Sequence, residues 1–443
     1  MRTYFIETWG CQMNQHDSEI LEGGLRNRGL VAAASADEAD LVLLNTCSVR
    51  SKPVQKVNSR IGQLARLARP PVIGLCGCVA EHEGRSLLDR SAAVRFVMGP
   101  GQVHRIGEAV DAVVNGQRAI LTGFPADRPT APPEVVRSSR TRGRVTVVEG
   151  CNQYCSYCVV PYVRGPEVSR PFAEVLAEVE ELARSGLREV ELLGQTINAY
   201  RCPVSGLGFA ALLRSVASVG ELDRVRYITC HPRYFGSDLL DVVAATPKVS
   251  RYLHLPCQSG SDSVLERMNR GYARADYLAL VDRIRAAAPG INLSSDFIVG
   301  FPGETEEDFQ ATLDLIRRVR FGQVFAFAFS PRLGTRAAAL QPLLPSPEKK
   351  DRLQSLLALA DGISHELNSS LVGQRVPVLI DGHSRRSSGH WQGRGEDNRV
   401  VNFPKMTSSQ VGDIVTVQIT RAGPHSLFGE QVADGASLPV LAS

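Results

Sequence analysis

The chain has 443 residues, and its 50 Lys and Arg residues nearly balance its 46 Asp and Glu residues, so its formal net charge is only +4. This length predicts two to three domains, and the small charge excludes a uniformly basic nucleic-acid coat protein. No apolar run is long enough for a membrane span and no signal-peptide pattern opens the chain, so we expect a cytoplasmic protein away from membranes. In such a protein, ten cysteines are more typical of metal ligands and buried thiols than of disulfides.

The first third of the chain alternates short apolar runs with longer helical patterns. This alternation of strand and helix patterns predicts an α/β domain with a parallel sheet and covering helices. The predicted strands are Thr3–Glu7, Leu41–Asn45 and Val72–Leu75, and the predicted helices are Asp17–Arg28 and Lys52–Ala68.

A cysteine follows each of these three predicted strands: Cys11, Cys47 and Cys78. Ligands of an open parallel sheet bind beyond the carboxyl ends of its strands, so these cysteines are expected to converge at one edge. Convergence predicts a three-cysteine metal site. The three positions share no tight local spacing, and three separate buried thiols stay open as the alternative.

Residues Thr122–Ser139 contain four prolines and no apolar periodicity, which predicts a linker. A strand-then-helix pattern then repeats six times. Six units are too few to close an eight-stranded barrel, so we predict an open (β/α)6 partial barrel. The predicted strands are Val145–Glu149, Glu189–Leu193, Val225–Thr229, Tyr252–Leu255, Asn292–Val299 and Val324–Phe329, and the predicted helices are Ala173–Ser185, Phe209–Val219, Asp238–Ala245, Val264–Met268, Tyr277–Ala287 and Glu306–Arg318.

Just past the first of these strands, Cys151, Cys155 and Cys158 follow a C-x3-C-x2-C spacing. Three thiolates without a fourth would hold an iron–sulfur cluster with one iron free for a small molecule. Zinc sites favour paired C-x2-C units with four ligands, and a disulfide framework suits shorter chains, so both are weaker alternatives. The spacing resembles that of the radical SAM superfamily, in which the open iron binds S-adenosylmethionine.

The last segment, Leu371–Val432, lacks a strong helical period and predicts a small antiparallel β-barrel with strands at Arg375–Asp381, Arg399–Phe403 and Ile414–Ile419. Cations and an aromatic residue cluster within it, as they do in RNA-binding β modules. A solvated, charged turn is an equal alternative. The clustered residues are Arg385, Arg386, His390, Trp391, Arg394 and Arg399.

Motifs along nearly the whole chain resemble those of the methylthiotransferases, most closely the MiaB branch. The motifs are Gly10–Asn14, Asn45–Arg50, Gly150–Gly165, Ser169–Pro171, His254–Pro256, Gln258–Ser261 and Ser295–Glu304. The resemblance implies a radical SAM [4Fe-4S] cluster at Cys151, Cys155 and Cys158, and an auxiliary [4Fe-4S] cluster at Cys11, Cys47 and Cys78. It implies an RNA-binding TRAM domain at the C-terminus. We expect an N-terminal domain over residues 1–120, a linker over 121–139, a radical SAM domain over 140–370 and the TRAM domain over 371–433.

Two cysteines depart from the family pattern. Cys76 stands where the family carries another residue, so it competes with Cys78 as the third auxiliary ligand; the frame Gly77–Ala80 matches the family and favours Cys78. Cys257 replaces an aliphatic residue at a strand end and is expected to pack rather than to bind metal. Cys202 and Cys230 are expected to pack as well.

Six residues at strand ends are assigned to the S-adenosylmethionine pocket that the resemblance implies. They are Gln195, His254, Gln258, Ser259, Asp296 and Gly300. Arg164 and Arg170 follow the cysteine loop and would meet an anion, either the cofactor carboxylate or an RNA phosphate. A structural salt bridge is an equal alternative for both arginines.

The resemblance implies an enzyme that converts N(6)-isopentenyladenosine next to the tRNA anticodon into its 2-methylthio derivative. Gln12–Asn14 and Asp17–Glu19 favour this activity over those of sister branches, which act on threonylcarbamoyladenosine or on a ribosomal-protein aspartate. The implied partners are the tRNA anticodon stem-loop, an electron donor protein and a sulfur source, and the chain is expected to be a monomer. The alternative from another class is a non-catalytic iron–sulfur RNA-binding protein; an electron carrier would need a fourth cysteine beside Cys158, which Val159–Pro161 does not supply.

Overall fold

The computed structural model describes residues 1–48, 51–125, 129, 135–384 and 387–432. It contains a six-stranded N-terminal sheet, two three-stranded central sheets and a closed C-terminal barrel of five strands. The predicted fold class is therefore confirmed. Part of the predicted linker lies outside the described residues, and the predicted domain limits stay a prediction. In the described ranges, no helix is both long and apolar enough to cross a membrane.

The N-terminal sheet is entirely parallel, with strand order β2-β1-β3-β4-β5-β6. Helix α1 begins at Gln12, directly after Cys11 and ahead of the predicted start at Asp17. The strands are β1 Thr3–Trp9, β2 Val31–Ala32, β3 Leu41–Thr46, β4 Val72–Gly77, β5 Val94–Met98 and β6 Ala119–Leu121, and the helices are α1 Gln12–Arg26, α2 Ser51–Leu64, α3 Cys78–Arg90 and α4 Ile106–Val114.

The register of this sheet brings its three cysteine-bearing loops to one edge. Strands β1, β3 and β4 are neighbours, and Trp9 pairs with Thr46, which pairs with Gly77. Cys11, Cys47 and Cys78 follow these paired residues within one or two positions. The predicted convergence at the carboxyl edge therefore follows from strand order and register together.

The central strands form a curved, open set. Strands β7, β10 and β11 pair in parallel, as do β12, β13 and β14, and a parallel bridge between Val225 and Val249 joins the two groups. The predicted first strand divides in two, because β8 leaves the barrel to pair with β9 antiparallel. The strands are β7 Arg142–Thr146, β8 Val148–Glu149, β9 Val168–Ser169, β10 Glu189–Leu193, β11 Arg224–Tyr227, β12 Tyr252–His254, β13 Asn292–Val299 and β14 Gln323–Ala328, and the helices are α5 Val160–Val163, α6 Phe172–Arg184, α7 Phe209–Ala217, α8 Ser237–Ala245, α9 Asp262–Arg267, α10 Arg274–Ala287, α11 Glu306–Val319 and α12 Ser346–Ser369.

The C-terminal barrel closes in the order β15-β16-β17-β19-β18. It departs from the predicted antiparallel arrangement at one point, because β17 and β19 pair in parallel. Its inner face is apolar and includes Val378, Phe403 and Val417, each fully buried. The strands are β15 Arg375–Ser384, β16 Ser387–Arg394, β17 Val400–Pro404, β18 Ile414–Ala422 and β19 Leu427–Gln431.

The turn between β16 and β17 caps the amino ends of the central strands. Arg226 Nη2 donates to Gly395 O at 2.8 Å, and Asn292 Nδ2 donates to Asp397 O at 2.8 Å. Buried backbone carbonyls need such partners, so the turn and the strand ends satisfy each other. The C-terminal barrel is thereby docked at the end of the central barrel that lies opposite its cysteine loop.

A buried carboxylate organises the same end of the central barrel. The Glu189 side chain is fully buried and faces Arg142, Arg224 and Arg226, with Arg226 Nε 2.9 Å from Glu189 Oε1. Burial alone would raise the pKa of Glu189, but the three guanidinium groups lower it to about 2. The carboxylate therefore stays ionised in the folded protein at neutral pH.

Glu189→Gln should lower the free energy of unfolding by about 3–5 kcal/mol, because it leaves three buried guanidinium groups undercompensated. The folded-state pKa lies below the unfolded value, so this stabilisation is present above about pH 4.3 and is lost as the pH falls from there toward 2. Urea unfolding at pH 7 and at pH 3 measures both effects. The exposed Glu180, changed to Gln, is the control and should alter stability little at either pH; equal losses in the two variants would contradict the prediction.

Candidate functional site

The N-terminal cysteines occupy three different positions relative to their secondary structure. Cys11 precedes α1, Cys47 follows β3, and Cys78 is the first residue of α3. Cys11 is exposed, whereas the other two are buried. The Cys47 and Cys78 thiols are hydrogen bonded to each other, and this bond, together with burial, raises the pKa of Cys78. The structure therefore brings the predicted residues to one edge.

A pair of asparagines ties the three cysteine loops together. The Cys11 thiol donates to Asn14 Oδ1 at 3.3 Å, and Asn14 Nδ2 donates to Asn45 Oδ1 at 3.2 Å. Asn45 Nδ2 returns a bond to Asn14 O at 2.8 Å. Gly77 has a φ of +86°, and a Cβ there would lie 2.5 Å from Asn45 Oδ1, so the third loop approaches the pair because it carries no side chain at that residue.

Cys76 and Cys78 point to different surroundings. Cys76 lies inside β4, is fully buried, and packs in the apolar layer that contains Phe96. Cys78 instead packs against Val159 and Val163, which belong to the central cysteine loop. This geometry favours Cys78 as the third auxiliary ligand and places Cys76 in the core.

The central cysteine loop is closed at its neck by strands β8 and β9. Cys151 N donates to Gly165 O at 3.2 Å, and Cys158 N donates to Cys155 O at 2.9 Å. Gly150 adopts a φ of +77°, and a Cβ there would lie 2.6 Å from Gly165 O. The backbone thus folds the three cysteines into a compact loop that a larger residue at Gly150 would force open.

Burial raises the pKa of two thiols of the central cysteine loop, those of Cys151 and Cys158. Burial first, and then the nearby Cys155 thiol, raise the pKa of Cys158 to about 12. Burial also raises the pKa of Cys151. Thiolates form at such sites when a metal replaces the protons.

Within the described part of the chain, no three His, Cys, Asp or Glu side chains approach closely enough to hold a single metal ion. In a four-iron cluster each cysteine binds a different iron, so the thiolates stand further apart than the ligands of one ion.

Gln195 lies beside the cysteine loop at the carboxyl end of β10. Its Oε1 is buried and has no hydrogen-bond partner among the residues that the structure describes. The next residue, Thr196, places its Oγ1 3.5 Å from Cys151 Sγ. A buried polar atom without a partner is rare in folded proteins, so this carbonyl is available to a bound polar group.

The predicted residues His254 and Asp296 meet where β12 ends beside the middle of β13, so Asp296 does not lie at a strand end as predicted. His254 Nε2 lies 3.5 Å from Asp296 Oδ2, and its Nδ1 lies 2.8 Å from Ser294 Oγ. Gln258 adopts a φ of +77°, and its backbone N–H donates to Asp296 O at 2.8 Å. A left-handed glutamine costs conformational energy, and such strain concentrates at binding sites.

Ser259 and Gly300, by contrast, lie in the barrel wall. Ser259 Oγ is 3.3 Å from Thr312 Oγ1 on α11 and is almost fully buried. The Gly300 amide donates to Glu304 Oε1 at 2.8 Å, and a Cβ at Gly300 would lie 2.3 Å from Lys349 on α12. Both residues shape the backbone that supports the site, and their predicted contact with a cofactor stays a prediction.

Several side chains at this site were missed by the sequence analysis. Arg270 is buried, lies 3.4 Å from Cys155 Sγ through Nη1, and donates through Nη2 to Pro256 O at 2.8 Å. His231 follows β11, and burial, then Arg270 and Arg233, lower its pKa to about 3, so it stays neutral. Thr196 and His231 follow the carboxyl ends of strands, and the rule that ligands bind beyond these ends would have found them. Nothing in the local sequence marks Arg270.

Both arginines after the cysteine loop form buried ion pairs. Arg164 Nη2 lies 2.6 Å from Asp17 Oδ2 on α1, and Arg170 Nη1 lies 2.6 Å from Glu178 Oε2 on α6. The structure thus favours the salt-bridge alternative for each. Arg164 is the more unusual of the two, because its partner belongs to the N-terminal domain.

The proposed RNA-binding cluster divides between two faces. Arg394 and Arg399 lie near the docking turn and contact Asn398 and Asp397, respectively. Trp391 instead points into the barrel and is buried there; the centroids of its ring and the exposed His383 ring are 5.0 Å apart, and Lys405 Nζ lies 4.8 Å from the centre of the Trp391 ring. Arg385 and Arg386 lie outside the described residues.

Comparison with known proteins agrees with this arrangement. The chain matches the uncharacterized protein family UPF0004 over residues 3–99, the radical SAM superfamily over residues 145–316 and the TRAM domain over residues 369–432. A protein of Alkalilimnicola ehrlichii is 44% identical over 440 residues, covering 96% of each chain. One of Cereibacter sphaeroides is 45% identical over 435 residues, covering 97% of this chain and 99% of the relative. Both are named tRNA-2-methylthio-N(6)-dimethylallyladenosine synthase.

This chain belongs to the MiaB family of radical SAM methylthiotransferases. The resemblance predicted from its motifs is thereby confirmed. Among solved structures, the radical S-adenosylmethionine methyltransferase TsrM of Kitasatospora setae, with cobalamin and a [4Fe-4S] cluster bound, gives a TM-score of 0.56 at 18% identity. The match covers 76% of this chain and 74% of that chain, and it shows a shared fold.

Cys78→Ala should remove one of two clusters and so halve the iron bound after anaerobic reconstitution, whereas Cys76→Ala should keep the full iron content. The reason is that Cys78 faces the shared edge and Cys76 faces the core. Iron and sulfide assays on the two purified variants measure the difference. Loss of iron in Cys76→Ala with retention in Cys78→Ala would reverse the assignment.

Proposed function

We propose that this protein is a radical SAM methylthiotransferase that converts N(6)-isopentenyladenosine next to the tRNA anticodon into its 2-methylthio derivative. The observation that carries the proposal is the contact between two three-cysteine sites: Cys78 of the N-terminal site packs against Val159 and Val163 of the central cysteine loop. The names of the full-length relatives support the substrate.

The central site would hold one [4Fe-4S] cluster through Cys151, Cys155 and Cys158. A cluster with an open iron supplies, when bound, the reductive cleavage of S-adenosylmethionine into a carbon radical. The unpartnered Gln195 Oε1 beside this loop fits a pocket for that cofactor. His254, at the end of β12, and Asp296, inside β13, would complete the polar lining.

The N-terminal site would hold the auxiliary [4Fe-4S] cluster through Cys11, Cys47 and Cys78. Ser48 Oγ, next to Cys47, is buried and has no hydrogen-bond partner within the described ranges, which fits a polar group bound there. The two loops are in contact, so their roles would be divided: a cluster held by Cys151, Cys155 and Cys158 would supply the radical, and one held by Cys11, Cys47 and Cys78 would supply the sulfur and methyl group.

Buried residues around the central cysteine loop would exclude water and hold the loop in position. Arg270 lies 3.4 Å from Cys155 Sγ and donates to Pro256 O, so one buried side chain links the cysteine loop to the loop that follows β12. His231 stays neutral and packs against Tyr272, with 5.7 Å between the ring centroids. A radical needs such a dry and rigid pocket, since the C–H at carbon 2 of adenine is too weakly acidic for removal by a base.

The RNA would also contact the outer face of the C-terminal barrel. His383 is exposed there and Lys405 is half-buried, and both lie against the ring of the buried Trp391, so an aromatic ring and a cation are available to an unpaired base beside a phosphate. The remaining partners are an electron donor protein and a sulfur source, and the enzyme would act as a cytoplasmic monomer.

The sister activities, on threonylcarbamoyladenosine or on a ribosomal-protein aspartate, share the fold and the clusters. The relatives' names favour the isopentenyl substrate over both. A non-catalytic iron–sulfur protein is disfavoured by the three-ligand loop, because a carrier cluster needs a fourth thiolate.

Deletion of the gene should remove 2-methylthio-N(6)-isopentenyladenosine from tRNA and leave N(6)-isopentenyladenosine in its place. Nucleoside analysis of tRNA from the deletion strain measures both. Restoration by the wild-type chain, but not by a Cys151→Ala chain, is the matched control. An unchanged amount of 2-methylthio-isopentenyladenosine in the tRNA of the deletion strain would contradict the proposal.

Cys151→Ala should abolish formation of 5′-deoxyadenosine, whereas Cys11→Ala should leave it intact and stop sulfur insertion. The two substitutions remove ligands from different sites, so their effects should separate. Incubation of each reconstituted variant with reductant, S-adenosylmethionine and substrate RNA, followed by product analysis, measures both activities. The opposite pattern would refute the proposed roles of the two sites.

A further inference from the structure

The inner face of the central barrel is mostly polar. Outward-facing residues of its strands, such as Val190, Leu253 and Phe297, pack in the apolar core beneath the helices. Side chains alternate along a strand, so the residues next to these face the interior of the barrel. Inward residues of β10, β11 and β13 are charged or polar; they include Glu189, Glu191, Arg224, Arg226, Ser294 and Asp296.

Strand β14 differs from the others, because it turns aromatic side chains inward. Its residues Val324 and Ala326 pack against the core, so Phe325 and Phe327 face the interior of the barrel. Phe325 is 37% exposed and Phe327 is half-buried, whereas the inward Leu193 of β10 is fully buried. The interior of a small barrel is usually filled by side chains, so an accessible phenylalanine on its inner face borders open space.

The register of β14 places this apolar surface beside the polar groups of the candidate site. Phe325 pairs with Asp296, and the centroid of its ring lies 6.0 Å from that of the His254 ring. Phe327 pairs with Ile298, the next inward residue of β13. Among the barrel strands that the structure describes, a ligand at His254 and Asp296 therefore meets accessible apolar side chains on one wall, which β14 and the end of β13 build.

We propose that Phe325 and Phe327 form the subsite for the isopentenyl group and thereby select the prenylated adenosine. The inference rests on the proposed function, which supplies this substrate. An isopentenyl group is a branched hydrocarbon chain without a polar atom, so it gains free energy from apolar surface alone. The charged walls formed by β10 and β11 would lose hydration beside such a group, and this loss is unfavourable. An unmodified adenosine lacks the group and gains nothing from the β14 wall.

Phe325→Ala should remove most of the preference for prenylated RNA, because it removes the apolar surface that the isopentenyl group contacts. Two anticodon stem-loop RNAs, which differ only in carrying N(6)-isopentenyladenosine or adenosine at the target position, are titrated against the reconstituted full-length chain with S-adenosylmethionine and without reductant. The wild-type chain should bind the prenylated RNA at least about tenfold more tightly, and Phe325→Ala should bring the two dissociation constants together. Phe325→Leu should keep most of the preference, since leucine also offers apolar surface.

Val324→Ala is the matched control. Val324 precedes Phe325 on β14 but packs against the core on the opposite face, so its loss disturbs the same strand and should leave the preference unchanged. An equal loss of preference in both variants would overturn the proposal, because it would trace the effect to strand packing. Equal binding of the two RNAs by the wild-type chain would overturn it as well. So would an equal weakening of both RNAs by Phe325→Ala, since Phe325 would then contact a part that the two RNAs share.

Iron content shows whether each variant is folded. If Phe325→Ala loses its iron, Phe325→Gln provides the test, because the exposed Gln323 already occupies the preceding inward position of β14. Phe325→Gln should also lose the preference, and a folded Phe325→Gln chain that keeps it would overturn the proposal. Methylthiolation of the prenylated RNA by the wild-type chain is assayed separately. Preferential binding without modification would contradict the proposed function alone, whereas modification with an unchanged preference in the folded Phe325 variants would contradict the subsite alone.

Discussion

The arrangement of the site depends on the docking of helix α1 against the central barrel through buried ion pairs. Asp17 binds Arg164, and two residues later Glu19 binds Arg144. Burial opposes the ionisation of Glu19, but hydrogen bonds from His16 and Ser138 and the charge of Arg144 lower its pKa to about 2. A purely apolar interface would tolerate sliding, whereas paired charges and hydrogen bonds penalise any other register. The interface thus holds the edge of one sheet against the cysteine loop of the other domain.

Buried ion pairs also organise the domain contact at the opposite end of the central barrel. There the ionised Glu189 gathers three arginines, and two of them, Arg224 and Arg226, also bind the carbonyl of Gly395 in the turn of the C-terminal barrel. In an open barrel, the strand ends are not covered by elements of the same domain. Both ends of the central strands are therefore completed by a neighbouring domain: the N-terminal domain at the mouth and the C-terminal turn at the base.

The sequence was most informative where one local rule decided the outcome. The convergence of Cys11, Cys47 and Cys78 followed from parallel strands alone, and the three-cysteine loop from its spacing. Strand β16 was missed because Ser387–Arg394 is rich in glycine and polar residues and takes its structure from its neighbours in the closed barrel. Arg394 and Arg399 were grouped with Trp391 by closeness in sequence, yet strand geometry sends them to another face. Such contacts depend on tertiary packing, which no local pattern records.

The position of the C-terminal barrel changes how an RNA substrate would be held. The docking turn of the C-terminal barrel lies at the amino ends of the central strands, whereas the cysteine loop lies beyond their carboxyl ends. Strand β13 has eight residues, which at about 3.3 Å each separate the two ends by roughly 26 Å. An RNA that touches the C-terminal barrel and inserts a base at the mouth must run along the side of the central domain. A short single strand is too flexible to bridge that distance at low entropic cost, whereas a stem with a loop at its end is rigid over such a span. The architecture therefore favours a folded stem-loop over an extended oligonucleotide as the substrate.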